Sequence, residues 1–308
     1  AALVSSKKKL SYTYSVEKVN GEITEYTDPY AFANVTKPED YKAFLAGEEK
    51  NAAHIFGAHE RTVNGVKGVL FNVWAPKALS VSVVGEFNKY DGRVHLMERI
   101  EDTGVFELFI PGLAAGCGYM YEIKRQGKGT TRKLDPVSRQ ISSVPITASV
   151  VSDENMPDSY AWNDGLWMIK RKKEAGKKKP VTVYEVSLTD WLKEKSADEL
   201  VDFVKQEGYT HVCFLPVAEY LNEEMNGYST LGYFAVTHRT GGSDAFKKLV
   251  DDCHNAGIGV IIDWNGAYFG TEVKGLYDFD GADAYGYLKP SLAKHPEWDD
   301  VTFDYKKG

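Results

Sequence analysis

From Val66 onward the chain consists of short apolar runs that alternate with polar residues and end at Pro, Gly, Asn or Asp. In the run GVFELFI, Val105, Glu107 and Phe109 share one face of an extended strand, and the residues between them share the other. Short strands at this spacing, bounded by turn residues, are typical of an antiparallel sandwich. The pattern therefore predicts an all-β sandwich over residues 54–169, with ITASVV as its last strand.

After Pro180 the pattern changes, because near-continuous apolar runs of strand length alternate with segments of helical periodicity. Strands and helices in this order indicate a parallel sheet built from right-handed βαβ units. Ser196 with Glu199 three residues later is a capping-box pattern for the first helix. Ser243 and Gly257 are the expected start and stop signals of the second. The predicted strands are 181–188, 209–217 and 258–264, the helices are 196–208 and 243–257, and residues 265–308 form a long loop.

Two polar segments flank the sandwich. Residues 1–53 form an extension of mixed composition with one short helix expected near 38–48. Residues 170–180 carry seven Lys or Arg in eleven positions. Such a run could contact an acidic partner, but it is more simply a solvated linker held open by repulsion between like charges. We therefore interpret 170–180 as a linker to a second unit over 181–308.

Composition narrows the classes of function. With 308 residues, 43% of them hydrophobic, the chain is long enough for two folded domains. The formal net charge of −7 argues against a general nucleic-acid-binding protein, which needs a basic face for the phosphates. No apolar run reaches the length of a membrane span, and the N-terminus lacks a signal-peptide pattern. The sequence therefore predicts a soluble cytoplasmic protein with neither a nucleic-acid nor a membrane partner.

Metal and cofactor chemistry has little support in the sequence. The three cysteines are scattered without a CxxC pair, which argues against a disulfide framework or a thiolate zinc site. His59 and Glu60 begin a zinc-like motif, but Val63 occupies the position of its second His. The acidic residues around 278–283 are a weak alternative site for Ca²⁺. The glutamates around Glu219 are interpreted as a solvated acidic loop, and we predict no metal and no cofactor.

Residues 54–100 resemble the carbohydrate-binding module family 48 sandwich that precedes the barrel of glycogen and starch branching enzymes. The segments YEVSLTDW, YTHVCFLPVAEY, NGYSTLGYFAVTHRTGG and LVDDCHNAGIGVIIDW resemble the opening of the (β/α)8 barrel of these enzymes. The family is glycoside hydrolase family 13, the alpha-amylase superfamily, whose branching members cut an α-1,4 glucan and re-attach the piece through an α-1,6 bond. The resemblance implies a multidomain fold, an immunoglobulin-like sandwich followed by the first βα units of a TIM barrel. The barrel is incomplete, with three strands, two helices and a long loop over 181–308.

The resemblance also indicates where the catalytic groups lie. A retaining glycosidase uses two carboxyl groups about 5–5.5 Å apart, and in this family they follow the fourth and fifth barrel strands. The segment 181–308 is about half as long as a whole barrel of about 250 residues. We therefore expect no catalytic residue in residues 1–308. The expected protein is the N-terminal portion of a branching-enzyme-like protein that is inactive alone.

For the sugar site, the resemblance implies three residues of the barrel segment. Asp263 ends the third strand and matches an Asp that organises the floor of the family's site. Tyr268 stands where the family has a His that contacts the sugar, and Tyr228 matches a stacking Tyr. A tyrosine can stack or donate a hydrogen bond, but it offers no imidazole. Three further departures are Asn226, Ser229 and Ser187, where Trp, Gln and His are usual.

A second sugar contact is implied for the sandwich. The loop GEFNKYDG (85–92) resembles one in which the family often places a Trp for glucan stacking. Here the aromatic residue is Tyr90, with Asn88 nearby, and a sugar ring offers an apolar face to such a side chain. In the alternative interpretation Tyr90 is a turn residue that covers the core.

The implied partner is an α-glucan such as glycogen, starch or a maltooligosaccharide. One alternative function is a non-catalytic α-glucan-binding or scaffold protein that contacts the sugar through Tyr90 and Tyr228. Another is a half-barrel that assembles with a protein partner or a second copy, because a three-stranded parallel sheet leaves edges that proteins normally cover.

Overall fold

The computed structural model describes residues 12–143, 146–152, 160–221, 223–294, 297 and 300–306. The described chain begins with an exposed two-stranded ribbon, β1 (Thr13–Glu17) and β2 (Ile23–Thr27). A 3-10 turn (Pro38–Tyr41) then continues as the one-turn helix α1 (Lys42–Leu45). The helix expected over 38–48 ends early, because Gly47 adopts a left-handed conformation with φ of 73°.

The predicted sandwich is present as two antiparallel sheets. Its strands are β3 (Gly57–Val63), β4 (Val66–Trp74), β5 (Ala78–Gly85), β6 (Glu98–Arg99), β7 (Val105–Pro111), β8 (Gly118–Arg125), β9 (Gly129–Lys133), β10 (Ile141–Ser142) and β11 (Ala148–Val150). One sheet has the order β3-β4-β7-β6, and the other has the order β10-β11-β8-β5 with β9 beside β8. Fully buried side chains from both sheets, among them Phe71 and Val83, form the core between them.

The outer face of the sheet that contains β7 is covered by the N-terminal segment. Phe106 and Leu108 face the sandwich core, whereas Glu107 faces outward and is nevertheless buried. Its carboxylate accepts hydrogen bonds from the backbone N of Val35 (2.6 Å) and from Asn72 Nδ2 (3.1 Å). A buried carboxylate needs such partners. The chain before the sandwich is therefore packed onto the fold at this point.

The basic segment begins in a helix and not in a linker. Helix α2 (Gly165–Glu174) packs on a later helix through Trp167, whose ring stacks on His254 with centroids 4.9 Å apart. Asp164 Oδ2 lies 2.7 Å from His254 Nδ1 and holds the start of the helix. The linker interpretation of 170–180 is therefore wrong for its first half. The stacked ring and the Asp164 contact anchor the start of this helix on that later helix, while its basic side chains stay exposed.

Beyond α2 lies the predicted parallel sheet. The elements are β12 (Val183–Val186), α3 (Leu188–Trp191), α4 (Ala197–Gln206), β13 (His211–Phe214), β14 (Ala218–Tyr220), β15 (Thr230–Val236), α5 (Gly242–Ala256) and β16 (Gly259–Ile262). Strands β12, β13 and β16 pair in parallel in that order, while β14 and β15 form an antiparallel hairpin. Helices α4 and α5 cover the sheet with their apolar faces. The three parallel strands predicted from the sequence are all present.

The helix boundaries confirm two capping predictions and correct a third. Ser196 and Glu199 form the expected capping box, with Ser196 N donating to Glu199 Oε2 at 2.7 Å. Gly257 ends α5 in a left-handed conformation, as predicted. Ser243 is not the cap of α5, because the N-cap is Gly241 at φ of 85°. Glycine tolerates this conformation, and the chain turns there before the serine is reached.

The long loop after β16 is structured. Strand β17 (Tyr268–Phe269) pairs with β18 (Val301–Thr302), and α6 (Pro290–Ala293) lies between them. The intervening chain folds back onto the sandwich, where Phe279 is fully buried in the core. Beside it, Arg125 Nη1 and Asp278 Oδ2 form an ion pair of 2.6 Å. The barrel segment thus completes the core of the sandwich.

Candidate functional site

The carboxyl end of β16 places Asp263 beside Tyr228. The backbone N of Asp263 donates to Phe214 O at 2.9 Å, which continues the ladder to β13 by one residue. Tyr228, in the turn before β15, donates its hydroxyl to Asp263 Oδ2. This bond to a carboxylate, with partial burial, raises the pKa of Tyr228 to about 12. The two residues implied by the resemblance are brought together, and the hydroxyl stays protonated at neutral pH.

Asn265 fixes the loop that carries this pair. It is buried, and its Nδ2 donates to Tyr228 O at 2.8 Å while its Oδ1 accepts from Ala267 N at 3.2 Å. The amide therefore ties the turn before β15 to the loop after β16. The sequence had indicated Asp263 and Tyr268 for the sugar site but not Asn265. The signal that was missed is an asparagine placed two residues after the strand-end aspartate, where Asx turns are common.

Tyr268 lies near the same pair. Its backbone O accepts a hydrogen bond from the Tyr233 hydroxyl at 2.8 Å, which holds β17 in place. Burial raises the pKa of the Tyr268 hydroxyl, and the carboxylates of Asp300 and Asp263 raise it further. Tyr268 is half-buried. The structure therefore brings Tyr228, Asp263 and Tyr268 into one site.

An additional carboxylate, which the sequence analysis did not single out, lies on the first parallel strand. Glu185 in β12 is in register with Cys213 in β13 and is exposed. Burial raises the pKa of the Cys213 thiol, and the nearby charges of Glu185 and Asp263 add to the effect. The thiol is therefore protonated at neutral pH. The signal for Glu185 was an acidic residue inside a parallel strand that is otherwise apolar.

Ser187, which stands where the resemblance expects His, has a local structural role. Its Oγ accepts a hydrogen bond from Asp190 N at 3.2 Å and caps α3. Serine is among the preferred N-cap residues. The side chain therefore holds the turn after β12.

In the sandwich loop Asn88 is buried, whereas Tyr90 is half-buried. The amide of Asn88 bonds Gly85 N at 3.0 Å and Val83 O at 2.8 Å. Its role is to hold the turn, so the structure gives no support to a sugar contact by this side chain. Tyr90 is half-buried against a cluster of apolar side chains, and the Arg132 guanidinium lies 5.6 Å from its ring centroid. The ring thus covers part of the core and also keeps an accessible part.

The acidic loop after β13 is not simply solvated. Glu219 is buried, forms an ion pair of 2.9 Å with Arg239 Nη1, and has its Oε2 within hydrogen-bond distance, 2.9 Å, of His238 Nδ1. The Arg239 guanidinium also lies 4.4 Å from the ring centroid of Tyr220. The solvated-loop interpretation therefore fails for Glu219, which anchors the β14–β15 hairpin. Glu223 is largely exposed, but its Oε1 also lies 3.2 Å from Arg239 Nε.

The metal-site alternatives raised by the sequence are occupied by other contacts. In the described part of the chain, no group of three or more His, Cys, Asp or Glu side chains has the arrangement of a metal site. Asp278 pairs with Arg125, and Asp280 accepts from Lys77 N at 2.9 Å, so both belong to the contact with the sandwich. None of the described helices combines the length and the apolar character needed to cross a membrane.

The comparisons with known proteins agree with this architecture. The family profile of carbohydrate-binding module 48 (isoamylase N-terminal domain) matches residues 55–138. The 1,4-alpha-glucan branching enzyme GlgB of Methylococcus capsulatus is 40% identical over 92% of this chain, and that of Nitrosococcus oceani is 39% identical over 97%. The chain is homologous to branching enzymes. It spans 40% and 41% of the length of these two relatives.

The fold comparison extends to a solved structure. A protein from Salmonella typhimurium, provisionally assigned as an alpha amylase, aligns with a TM-score of 0.59 and 24% sequence identity. The alignment covers 80% of this chain and 38% of the Salmonella chain. This likeness concerns the fold alone. Together with the family profile, it confirms the predicted fold class, a sandwich followed by part of a barrel.

Proposed function

We propose that this chain binds an α-1,4-glucan as part of a branching-enzyme-type protein. The observation that carries the proposal is the Tyr228–Asp263 hydrogen bond at the carboxyl end of the third parallel strand. In (β/α)8 barrels the functional groups gather at this end of the strands. The homology to branching enzymes and the carbohydrate-binding module profile point to the same class of ligand.

The residues of the site suit a sugar. The half-buried rings of Tyr228 and Tyr268 offer faces for the apolar side of a glucosyl unit, and Asp263 has a second carboxylate oxygen that can accept from a hydroxyl. Glu185 adds another acceptor. Tyr90 would provide a separate contact on the sandwich, through its ring alone.

Binding can be tested by affinity electrophoresis in gels that contain glycogen. We expect the chain to be retarded, and Tyr228→Ala to migrate faster in glycogen than the wild type does. The matched control is Tyr26→Ala, which removes an exposed ring from the N-terminal ribbon. Wild-type mobility that does not respond to glycogen would refute the proposal.

Catalysis is proposed to require more than residues 1–308. Retaining transfer needs two carboxyl groups about 5–5.5 Å apart, and the resemblance assigns them to strands after the third. Iodine staining of amylose would detect branching as a blue-to-red shift. We expect no shift with this chain, and a shift would contradict the proposal.

A non-catalytic glucan-binding scaffold is the second candidate. It is favoured by Tyr268, which replaces an imidazole at a sugar-contacting position. The two candidates differ in the activity of the natural protein, which a scaffold would lack at any length. Association through the open edge of β16, with a second copy or another protein, is a separate part of this proposal. Sedimentation of this chain as a stable monomer would remove self-association.

A further inference from the structure

An aromatic cleft lies next to the candidate site, where the N-terminal segment, the sandwich and the barrel segment meet. Its volume is about 280 Å³, and its walls are almost entirely apolar. Trp74 at the end of β4 lies on the sandwich side of the cleft and is half-buried there. The aromatic side chains contributed by the barrel segment include Tyr233, Phe234, Trp264, Phe303 and Tyr305.

Three of these rings remain exposed. The exposed fraction is 53% for Phe234, 58% for Trp264 and 72% for Tyr305. Trp264 and Tyr305 are the ends of a continuous row of rings with Tyr233 and Phe303 between them, because successive centroids are 5.9, 5.4 and 5.9 Å apart. Exposed apolar patches of this kind mark interaction sites more often than isolated apolar residues do.

The Trp264 ring packs against Gly266 of its own loop. A Cβ added at Gly266 would lie 2.3 Å from a ring carbon of Trp264, so the ring occupies the space that a side chain would need. On the same loop, the Tyr305 hydroxyl donates to Gly266 O. Both rings are thus positioned before any ligand arrives, which lowers the entropic cost of binding.

The same loop also carries the candidate sugar site. Asp263 precedes Trp264 directly, and Asn265 ties the loop to Tyr228 at 2.8 Å. Tyr233, which belongs to the aromatic row, donates its hydroxyl to Tyr268 O at 2.8 Å, so the row contacts the candidate site directly. This continuity is what distinguishes the cleft from an apolar patch elsewhere on the molecule.

We propose that Trp264 and Tyr305 form a platform on which an α-1,4-glucan continues outward from the Asp263 site. The inference rests on the proposed function. A glucosyl ring laid on the exposed faces covers apolar carbon while its hydroxyl groups stay in water. Deeper in the cleft the walls are almost entirely apolar, with few polar atoms such as Trp74 Nε1 and Asn72 Oδ1, so most hydroxyl groups placed there would lose water without gaining a partner, which is costly. The sugar therefore occupies the mouth and not the interior.

The affinity for maltoheptaose, measured by isothermal titration calorimetry, tests the platform. We expect Trp264→Ala to weaken binding about tenfold and Tyr305→Ala to weaken it about threefold, as the loss of ring contacts implies. Trp264→Phe, which keeps a ring, should lie between the wild type and Trp264→Ala. The matched control is Trp162→Ala, which removes an exposed indole ahead of α2. Its affinity should equal that of the wild type.

The outcomes separate this inference from the proposed function. If Tyr228→Ala weakens binding while Trp264→Ala and Tyr305→Ala do not, the platform is refuted and the proposed function stands. If the wild type does not bind maltoheptaose, both fail. If Trp264→Ala does not fold, Tyr305→Ala and Trp264→Phe decide. An anilinonaphthalene dye that binds the cleft, with maltoheptaose affinity unchanged by all three variants, would identify it as a site for apolar molecules instead.

Discussion

Replacing Phe279 by alanine tests whether the loop after β16 completes the sandwich. The ring is fully buried among core residues of the two sheets, and its centroid lies 5.6 Å from that of Tyr285. Truncation of a buried Phe to Ala costs about 3–5 kcal/mol, with the larger values where the site cannot collapse. Here collapse is restricted, because Arg125 holds Asp278 at 2.6 Å and Lys77 N holds Asp280 at 2.9 Å. We therefore expect a loss of about 4 kcal/mol in the free energy of unfolding.

Urea unfolding followed by tryptophan fluorescence would measure this loss as a lower midpoint at an unchanged slope. The matched control is Val273→Ala in the same loop, because Val273 is 69% exposed and its truncation should change stability by less than about 0.5 kcal/mol. A loss below about 1 kcal/mol for Phe279→Ala would refute the reasoning. It would mean that the loop rests on the sandwich without contributing to its core.

Three further substitutions test individual contacts. Glu219→Gln should lower the free energy of unfolding in urea by about 3 kcal/mol, because it leaves Arg239 without its buried carboxylate. The control Glu223→Gln, at an exposed carboxylate, should lower it by less than about 1 kcal/mol. Equal losses would contradict the role of Glu219 as the anchor of the hairpin. Tyr228→Phe should lower the free energy of unfolding by about 1.5–3 kcal/mol, because it removes a hydrogen bond to a carboxylate, and unchanged stability would show that this bond contributes nothing. Burial lowers the pKa of Lys133 to about 8, against 10.5 for the unfolded chain, so the unfolded state binds more protons between these values. The stability of the wild type relative to Lys133→Met should therefore rise by about 1.4 kcal/mol per pH unit above pH 8, and a flat difference would refute the shift.

The sequence predicted those parts of the fold whose residues follow a periodic pattern. Alternation along β7 and apolar runs in the parallel strands are periodic signals, so the sandwich and the three-stranded sheet could be derived from them. The capping box at Ser196 is likewise local. The resemblance to a family, and not the periodicity, selected Tyr228 and Asp263.

Single long-range contacts could not be predicted in the same way. Phe279 enters the sandwich core from a loop without periodicity, so no pattern distinguishes it from other apolar loop residues. Glu107 looks like a solvent-facing position of its strand until the N-terminal segment is seen to cover it. The helix Gly165–Glu174 extends into a segment whose charge suggested a linker. It could not be predicted from local pattern, because its anchor, Trp167 on His254, joins distant parts of the chain.

These contacts change what the sandwich is expected to do for the candidate site. The chain that leaves β16 carries Asp263 and Tyr268 first, and only then inserts Phe279 into the sandwich core. A ligand that binds only the folded site also stabilises the loop after β16, whose contact with the sandwich keeps the site folded. The sandwich can therefore influence glucan affinity through the position of this loop, even if Tyr90 never touches a sugar. Loss of glucan binding in a sandwich variant is consequently evidence for a sugar contact only when the loop anchors at Asp278 and Phe279 remain intact.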